Sequence, residues 1–411
     1  MLDMGNLRSA LHATPSEQAW EHLCDLLDQI ASKEDAEQAI NYVLPHLRHH
    51  WPSNLRTLPA HWLAALLPER ESFANIYNAP EEDERTANPL IPLFLPLIAS
   101  FSSRIELPVI RSRDLSALFE KYPLTALEHL DIAGQYLTDA EIDALAGVIS
   151  QTDNLHHLDA RGVFATHSYH PRSEVRERFL SGIEPRQRGQ LRSVSLGLNN
   201  IDTLEIETLL SRPNLRGLTH LSLAYNRLDD RFIELLLAAP LAQELKHLDI
   251  SYNRITTDAL EVLAHEDALP ALRTLAAFDG PTEHDIKARL EARGVILACQ
   301  ILAPCIEATI WEKGGGQARV ILDKPRNIIG RVQSNDIVLP KGNVSKRHLT
   351  ITRLGRRIFI EDRGSSGGTY VNGRKICGPS LVSPSDKIYV GDFIIQLRAV
   401  DSSSGREEPG A

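Results

Sequence analysis

The sequence is short of cysteine, of aromatic residues and of long apolar segments. Phe, Trp and Tyr make up 6% of it, and its four cysteines are Cys24, Cys299, Cys305 and Cys377. They form no C-x-x-C pair and no metal-ligand spacing, which predicts free thiols in a reducing compartment. The most apolar segment, residues 89–99, is short and broken by three prolines, and the first residues lack a basic stretch followed by an apolar core. We therefore expect a cytoplasmic protein with no signal peptide and no membrane contact.

The charge of the chain is unevenly distributed. Its 411 residues exceed one ordinary core, so we expect two or three domains, and its formal net charge is -10. Residues 305–400 contain sixteen Lys and Arg against eight Asp and Glu, which gives +8. Residues 401–411 carry -2, so residues 1–304 carry -16. The C-terminal region is therefore the part expected to bind anions, and charge alone does not distinguish a phosphoprotein from a nucleic acid.

Residues 1–110 have the pattern of short helices. Apolar residues recur at three- and four-residue steps, and Ser16 stands where a helix N-cap is expected. His46, His49 and His50 suggest a metal site, but no Cys or carboxylate accompanies them at ligand spacing. A solvated helix end explains these histidines, so we expect a helical region without a metal ion.

Residues 111–300 contain an internal repeat. Six units begin with leucine at steps of 28, 36, 27, 27 and 27 residues: Leu127, Leu155, Leu191, Leu218, Leu245 and Leu272. The units approximate L-x-x-L-x-L-x-x-N, with Asn199, Asn226 and Asn253 at the last position, and amphipathic segments follow. The pattern resembles the leucine-rich repeat family in its longer, strand-plus-helix form. The resemblance implies an α/β solenoid with a continuous leucine core, and we expect its concave face to hold a second protein partner.

Polar residues form two columns on the exposed face of the predicted repeat strands. One column is histidine and the other aspartate: His129, His157, His220 and His247, then Asp131, Asp159 and Asp249. Neighbouring strands lie about 4.8 Å apart, so adjacent members are close enough to interact. Such a grid suits a cation or a contact that depends on pH near about 6.5. Simple solvation of a polar face also explains it, and we favour solvation because two separated His pairs do not converge on one ion.

Residues 301–400 have the pattern of an all-β sandwich or barrel. Short alternating apolar segments follow one another closely, with turn residues between them. The three glycines at residues 314–316 lack the Gly-Lys-Ser/Thr of a phosphate loop and are interpreted as a hairpin turn. Residues 401–411 are expected to form a disordered tail.

Three short motifs occur in order within this β region. They are Gly330-Arg331, Ser345-x-x-His348 and the segment DRGSSGGTYVNG at residues 362–373. Together they resemble the forkhead-associated family, and the resemblance spans the whole C-terminal region. It implies a β-sandwich that recognises phosphothreonine in partner proteins through loops at one end.

Phosphothreonine carries about -1.5 to -2 charge and three acceptor oxygens, so its receptor needs a fixed cation and neutral donors. Arg331 has a planar guanidinium that can make two parallel charge-assisted bonds and stays charged. By the resemblance, Arg331 and Ser345 contact phosphate oxygens and Ser366 supplies a second hydroxyl. Lys346 adds its backbone N–H and positive potential. These four residues are the expected phosphothreonine-binding residues.

Other motif residues are expected to support the site. Gly330 lets the chain turn sharply, and the resemblance implies that His348 braces the loops. Asn372 and Gly373 belong to a turn that supports the binding loops. Gly367 departs from the family, which usually has Asn there to bond the backbone of the bound peptide. The departure removes a contact worth about 0.5–1.5 kcal/mol, or up to about tenfold in affinity.

The sequence favours a non-enzymatic adaptor in Ser/Thr kinase signalling, with one partner on the β region and a second on the repeats. It shows no catalytic triad in a strand-turn-helix context, no phosphate loop and no kinase signature, so we expect no enzyme and no cofactor. The alternative is a scaffold that acts through the repeats while the β region has lost phosphate dependence. Nucleic-acid binding is not expected, because the basic residues lack the interleaved aromatics that base stacking requires.

Overall fold

A computed structural model describes most of the chain. The described residues are 3–52, 55–59, 62, 90–94, 104–106, 116, 127–134, 137–164, 173–183, 191–277, 284–297, 305–354, 357–376 and 378–400. The α-helices named here are α1 (Met4–Leu11), α2 (Glu17–Asp28), α3 (Lys33–His50), α4 (Asp139–Gln151), α5 (Ser173–Gly182), α6 (Thr203–Leu210), α7 (Arg231–Ala238), α8 (Thr257–Val262) and α9 (His284–Ala292). No helix in this part of the chain has both the length and the apolar character needed to cross a membrane.

The first three helices confirm the predicted helical character of the N-terminal region. Ser16 caps α2, where its Oγ accepts a hydrogen bond from the backbone N–H of Ala19 at 3.1 Å. The rings of Trp20 and Trp51 pack with their centroids 5.6 Å apart. Their apolar core is continuous with the core of the repeat region, so the helices extend that core at its N-terminal end. The predicted boundary at residue 110 stays a prediction.

The repeat region forms a parallel sheet of eight short strands in chain order, here called the repeat sheet. Its strands are β1 (Arg104–Glu106), β2 (His129–Asp131), β3 (His157–Asp159), β4 (Ser193–Ser195), β5 (His220–Ser222), β6 (His247–Asp249), β7 (Thr274–Ala276) and β8 (Ile296–Leu297). From β2 to β6 the central residue of each strand is buried and its two neighbours are not. The apolar side therefore packs on the helices, and the polar columns lie on the other face.

Asparagine amides connect consecutive turns of the repeat sheet. Asn226 Nδ2 donates to the carbonyls of Leu196 and Leu223 at 3.1 and 2.9 Å. Its Oδ1 accepts the backbone N–H groups of Asn199 and Ile201 at 3.2 and 3.0 Å. Each amide thus satisfies buried backbone groups of its own turn and of the preceding one. This bridging explains why asparagine recurs with the period of the strands.

The C-terminal region is a sandwich of two sheets, which confirms the predicted all-β fold. Its strands are β9 (Cys305–Glu312), β10 (Gln317–Leu322), β11 (Arg326–Gly330), β12 (Ile337–Val338), β13 (Leu349–Leu354), β14 (Arg357–Asp362), β15 (Thr369–Val371), β16 (Arg374–Lys375), β17 (Ser380–Val382), β18 (Ile388–Val390) and β19 (Phe393–Val400). A six-stranded sheet has the order β10-β9-β19-β18-β15-β16, and a five-stranded sheet has the order β12-β11-β13-β14-β17. Aliphatic residues from both sheets fill the space between them.

The sandwich packs against the turns that follow the repeat strands, and we call this contact the docking interface. Its apolar cluster combines Ala133, Ala224 and Tyr225 with Leu354 and Phe359, and Leu198, Tyr252 and Leu381 pack at its margin. Gly134 permits the close approach, because a Cβ there would lie 2.7 Å from the Cβ of Leu381 and its φ is +73°. In later repeats the rings of Tyr225 and Tyr252 stack at 4.1 Å and take part in the interface.

Charged groups complete the docking interface. Arg357, at the start of β14, donates to both carboxylate oxygens of Asp131, with an Nη1–Oδ1 distance of 2.8 Å. Its Nη1 also lies 3.4 Å from Asp159 Oδ2, and Asp159 pairs in turn with Arg161. Two members of the aspartate column therefore face cations of the chain itself.

The docking interface leaves the loops that carry the three motifs at the far end of the five-stranded sheet. Strands β13 and β14 are antiparallel, with Leu354 opposite Arg357 at the interface and Leu349 opposite Asp362 at the other end. Six residues of strand separate the two ends by about 17 Å. The sandwich is thus held on the repeats with these loops directed away from the interface.

Candidate functional site

Gly330 brings two motif loops into contact at the end of β11. A Cβ at this position would lie 2.3 Å from the carbonyl oxygen of Lys346 and 2.9 Å from the Cα of Arg347. Real Cβ atoms do not approach so closely, so only glycine fits without moving the loop. The next residue, Arg331, donates its backbone N–H to the carbonyl of Ser345 at 3.0 Å. Its side chain is exposed beside Ser345, as a ligand-binding guanidinium must be.

Two hydroxyls meet next to Arg331. The Oγ atoms of Ser345 and Ser366 are 3.2 Å apart, and Ser345 Oγ accepts the backbone N–H of Ser366 at 3.1 Å. Lys346 follows Ser345 and is exposed. The structure therefore brings all four expected phosphothreonine-binding residues to one end of the sandwich, although they lie in three separate segments of the chain.

His348 is buried beneath these loops. The backbone N–H of Ser345 donates to its Nδ1 at 3.1 Å, so the ring proton lies on Nε2, which donates to the carbonyl of Gly368 at 3.2 Å. Burial lowers the pKa of His348, and the Gly368 carbonyl and the Asp362 carboxylate only partly oppose this effect. The neutral imidazole joins the Ser345 loop to the loop of Ser366 and does not face the exposed surface.

Asp362 is a supporting residue that sequence reasoning missed. It accepts the backbone N–H of Ser365 at 2.7 Å, the hydroxyl of Ser365 at 2.6 Å and the hydroxyl of Thr369 at 2.6 Å. Burial alone would raise its pKa, but the hydrogen bonds from Ser365 and Thr369 outweigh burial and the pKa is lowered. Its carboxylate therefore fixes the shape of the loop that presents Ser366. The spacing D-x-x-S-x-x-x-T was the signal available in the sequence.

Asn335 is a second missed support, and it acts on the other loop. Its Nδ2 donates to the carbonyls of Val332 and Lys346 at 2.9 and 2.8 Å. The side chain is buried and holds the Lys346 backbone in place from below. Nothing in the local sequence distinguished this asparagine from an ordinary turn residue.

Asn372 and Gly373 do not reach the phosphothreonine-binding residues. Asn372 donates from Nδ2 to Asp386 at 2.8 Å and accepts the backbone N–H of Lys387 at 2.8 Å. Both residues have positive φ, +50° for Asn372 and +80° for Gly373, as the tight turn between β15 and β16 requires. They connect this turn to the one before β18, and so support the sheet that carries Thr369.

Gly367 lies open at the edge of the site. A Cβ there would meet only the carbonyl oxygen of Asn343, at 3.6 Å, which is an ordinary contact. Its backbone is outside the left-handed region, whereas Gly368 has a φ of +74° and abuts Lys375. A side chain at position 367 would fit, so the missing asparagine is not forced by the backbone.

The charges around the site suit an anion. Arg331, Lys346 and Arg347 are exposed next to the two hydroxyls, and the Asp362 carboxylate is turned inward onto its donors. The arrangement offers a guanidinium, two hydroxyls and backbone N–H groups to one ligand. In the described part of the chain no group of three or more His, Cys, Asp or Glu is arranged to hold a metal ion.

The histidine column of the repeat sheet divides into two stacked pairs. The rings of His129 and His157 are 4.1 Å apart, and those of His220 and His247 are 4.0 Å apart. Because Asp131 and Asp159 contact Arg357, the aspartate column is engaged by the docking interface over β2 and β3.

Comparison with known proteins identifies two kinds of sequence unit. The FHA domain family model matches residues 327–391, and a Leucine Rich repeat model matches residues 243–264. The latter match covers a single repeat.

Curated proteins and solved structures are similar to part of the chain. The oxoglutarate dehydrogenase inhibitor of Corynebacterium diphtheriae is 37% identical over 76 residues, 18% of this chain and 52% of that protein. The glycogen accumulation regulator GarA of Mycolicibacterium smegmatis is 30% identical over 130 residues, 31% of this chain and 81% of that protein. A solved FHA domain, from the CT664 protein of Chlamydia trachomatis, is 30% identical and covers 23% of this chain and 96% of that chain, with a TM-score of 0.22. The chain spans about half the length of the first of these relatives.

Proposed function

Because the chain belongs to the forkhead-associated (FHA) domain family, we propose that its C-terminal sandwich binds a phosphothreonine side chain of a partner protein. One observation carries this proposal: Arg331, Ser345 and Ser366 meet at one exposed end of the sandwich. The protein then acts as a non-enzymatic adaptor for a target of a Ser/Thr kinase. The names of the two curated relatives, an inhibitor and a regulator, fit such a role.

Each residue of the site has a distinct part in this binding. The Arg331 guanidinium pairs with two phosphate oxygens, while the hydroxyls of Ser345 and Ser366 donate to the remaining acceptors. Lys346 contributes its backbone N–H and its charge. Gly330, His348 and Asp362 hold the two loops at the spacing that one phosphate group requires, so the donors need little rearrangement when the ligand arrives.

We also propose a division of the chain into regions and a role for the repeats. We propose residues 1–110 as a helical region, 111–300 as a leucine-rich repeat solenoid and 301–400 as the FHA domain, while residues 401–411, expected from the sequence as a tail, lie outside the described residues. The parallel order of β1 to β8 and the bridging asparagines support the solenoid. The repeats hold a second protein on their concave face, in the cytoplasm, so that the adaptor joins two partners.

A peptide-library screen on the full chain tests the proposed binding. The probes are two degenerate libraries that are identical except that the central residue is phosphothreonine in one and threonine in the other. We expect retention of phosphorylated members alone, with micromolar affinity. Equal retention from both libraries would contradict phosphate recognition.

Gly367 favours a second candidate function. Without a side chain at this position the site lacks one bond to the peptide backbone, so the sandwich holds a bound peptide less firmly than the family pattern implies. In this case the chain is a scaffold that acts through its repeats, with an FHA domain that binds without phosphate. Two results together would support this function. The Arg331→Ala variant would still capture the partner of the repeats, and the library screen would show no preference for phosphorylated peptides.

A further inference from the structure

A row of exposed or partly exposed basic residues stands at the N-terminal ends of the repeat strands, the opposite end from the turns that form the docking interface. We call Arg192, His220, Lys246, His247 and Arg273 the basic strip. They occupy the N-terminal ends of neighbouring strands, since Lys246 N–H donates to the Thr219 carbonyl and Arg273 N–H to the Lys246 carbonyl, both at 2.8 Å. The strip therefore runs across β4 to β7, with one basic residue at each of β4, β5 and β7 and two at β6.

The cations of the basic strip have no acidic partner within the described residues. Lys246 and Arg273 are exposed, and neither forms an ion pair with another described residue. Arg192 donates from Nη1 to the carbonyl of Gly217 at 3.3 Å, which leaves its charge uncompensated. Burial and then the charges of Lys246 and Arg273 lower the pKa of His247, because both cations lie close to its ring.

The aspartates of the repeat strands are engaged elsewhere. Asp131 and Asp159 pair with Arg357 across the docking interface, and Asp159 also pairs with Arg161. Asp249, on the same strand as His247, accepts both the backbone N–H and the hydroxyl of Ser251. Asp131 and Asp159 thus face the FHA domain, whereas the basic strip lies at the other end of the strands, outside the docking interface.

We propose that the basic strip binds a short acidic segment of a partner protein. This proposal rests on the proposed function in that it specifies the chemistry of the second partner on the repeats. Residues 1–304 carry a net charge of -16, so a long polyanion such as a nucleic acid is repelled by the region as a whole. A short acidic segment contacts the strip alone. The contacts are exposed, which predicts weak binding that salt weakens further.

Charge reversal within the basic strip tests the proposal on the full chain. The probe is a fluorescein-labelled peptide of alternating Glu and Ser residues, and the variant is Lys246→Glu with Arg273→Glu. We expect the variant to bind the peptide at least about tenfold more weakly, because two attractive contacts become repulsive. The control is Arg231→Glu with Arg289→Glu, which changes the net charge equally on helices α7 and α9, where these residues pair with Glu207 and Glu261.

Three other results would overturn the proposed role of the basic strip. Binding that falls equally in both double variants, or that neither affects, overturns the strip as a specific surface. A single-stranded oligonucleotide that competes better than the peptide also overturns it, in favour of nucleic acid. If Arg331→Ala abolishes binding of the acidic peptide, the probe occupies the phosphate site and the strip proposal is wrong, while the FHA function stands. The Lys246→Glu, Arg273→Glu variant should still bind a phosphothreonine peptide. This result would show that the strip and the phosphothreonine-binding residues act separately, so that either proposal can fail alone.

Discussion

The chain presents two basic surfaces, and they differ in what lies beneath them. At the FHA site the exposed hydroxyls of Ser345 and Ser366 rest on buried polar groups, with His348 below one loop and Asp362 below the other. In the basic strip, by contrast, the backbone ladder of a parallel sheet sets the spacing of the side chains. Long exposed lysine and arginine side chains there keep their rotamer freedom until a ligand orders them.

This difference predicts two kinds of recognition. A site whose donors are held in advance loses little entropy on binding and can distinguish a doubly charged phosphate from a neutral hydroxyl. A row of exposed charges gives attraction that depends on salt and discriminates less. Three kinds of substitution test this difference. One removes the buried support of the FHA site, that is, of Arg331, Ser345, Lys346 and Ser366; one breaks the docking interface between the two domains; and one adds a peptide contact at the FHA site.

Gly330→Val should have the largest effect, because it removes the support itself. The new side chain would meet the Lys346 carbonyl and the Arg347 backbone, so the loops must separate. We expect complete loss of phosphothreonine-peptide binding and a destabilisation of about 3 kcal/mol in chemical unfolding. Gly316→Val is the matched control, since a Cβ there meets nothing within 4 Å. Peptide binding retained by Gly330→Val would show that the close approach is unnecessary.

Arg357→Glu should separate the two surfaces by breaking the docking interface. The variant places a negative charge opposite Asp131 and Asp159, whose side chains are only partly exposed. We expect destabilisation of about 2 kcal/mol and separate thermal transitions for the repeats and the sandwich. Calorimetric unfolding of the full chain measures both. Arg319→Glu, an exposed charge on strand β10, should leave the transitions unchanged, and an identical response of the two variants would refute the interface.

His348→Asn should change how stability depends on pH. Because burial lowers the pKa of folded His348, the unfolded chain takes up a proton below pH about 6.5 that the folded chain does not. Wild-type stability should therefore fall on acidification from that pH down to the folded pKa, by up to about 1.4 kcal/mol per pH unit from this residue. The variant should lose this contribution in urea unfolding. His220 and His247 titrate in both proteins and cancel in the difference, so parallel curves would contradict the assignment.

Gly367→Asn should have the smallest effect and sharpen the FHA site. The structure leaves room for the side chain, and one added bond to the peptide backbone is worth about 0.5–1.5 kcal/mol. We expect up to about tenfold tighter binding of a phosphothreonine peptide by calorimetry. Gly367→Ala tests whether the amide is responsible. An equal gain with alanine would point to loss of backbone freedom instead.

Repeated or ordered patterns made much of the fold predictable from sequence. The leucine period predicts one strand per unit because every unit buries the same positions, and the motif order predicts the sandwich and the residues that meet in it. Arg104–Glu106 lacks this leucine pattern, so its place as the first strand of the sheet was not foreseen.

Contacts between distant segments were not predictable. No sequence motif explains why glycine stands at position 134. The folded structure gives the reason, because Leu381 packs directly against this position. Likewise the sequence shows Asp131 as one member of a column, and nothing local indicates that Arg357, more than two hundred residues later, will contact it. Asp362 differs, because its partners Ser365 and Thr369 are close in sequence: the spacing was visible, but the sequence did not show that the folded loop turns these hydroxyls toward the carboxylate.

The most direct measurement is the calorimetric affinity of the full chain and of its Arg331→Ala variant for one peptide, with and without a phosphate on its threonine. We predict micromolar binding of the phosphorylated peptide to the wild-type chain, no measurable binding of the unphosphorylated one, and about hundredfold weaker binding to the variant, since charge-assisted bonds contribute about 1.5–3 kcal/mol each. Equal affinity of the wild-type chain for both peptides, or an unchanged affinity of Arg331→Ala for the phosphorylated peptide, would contradict recognition of phosphothreonine at this site.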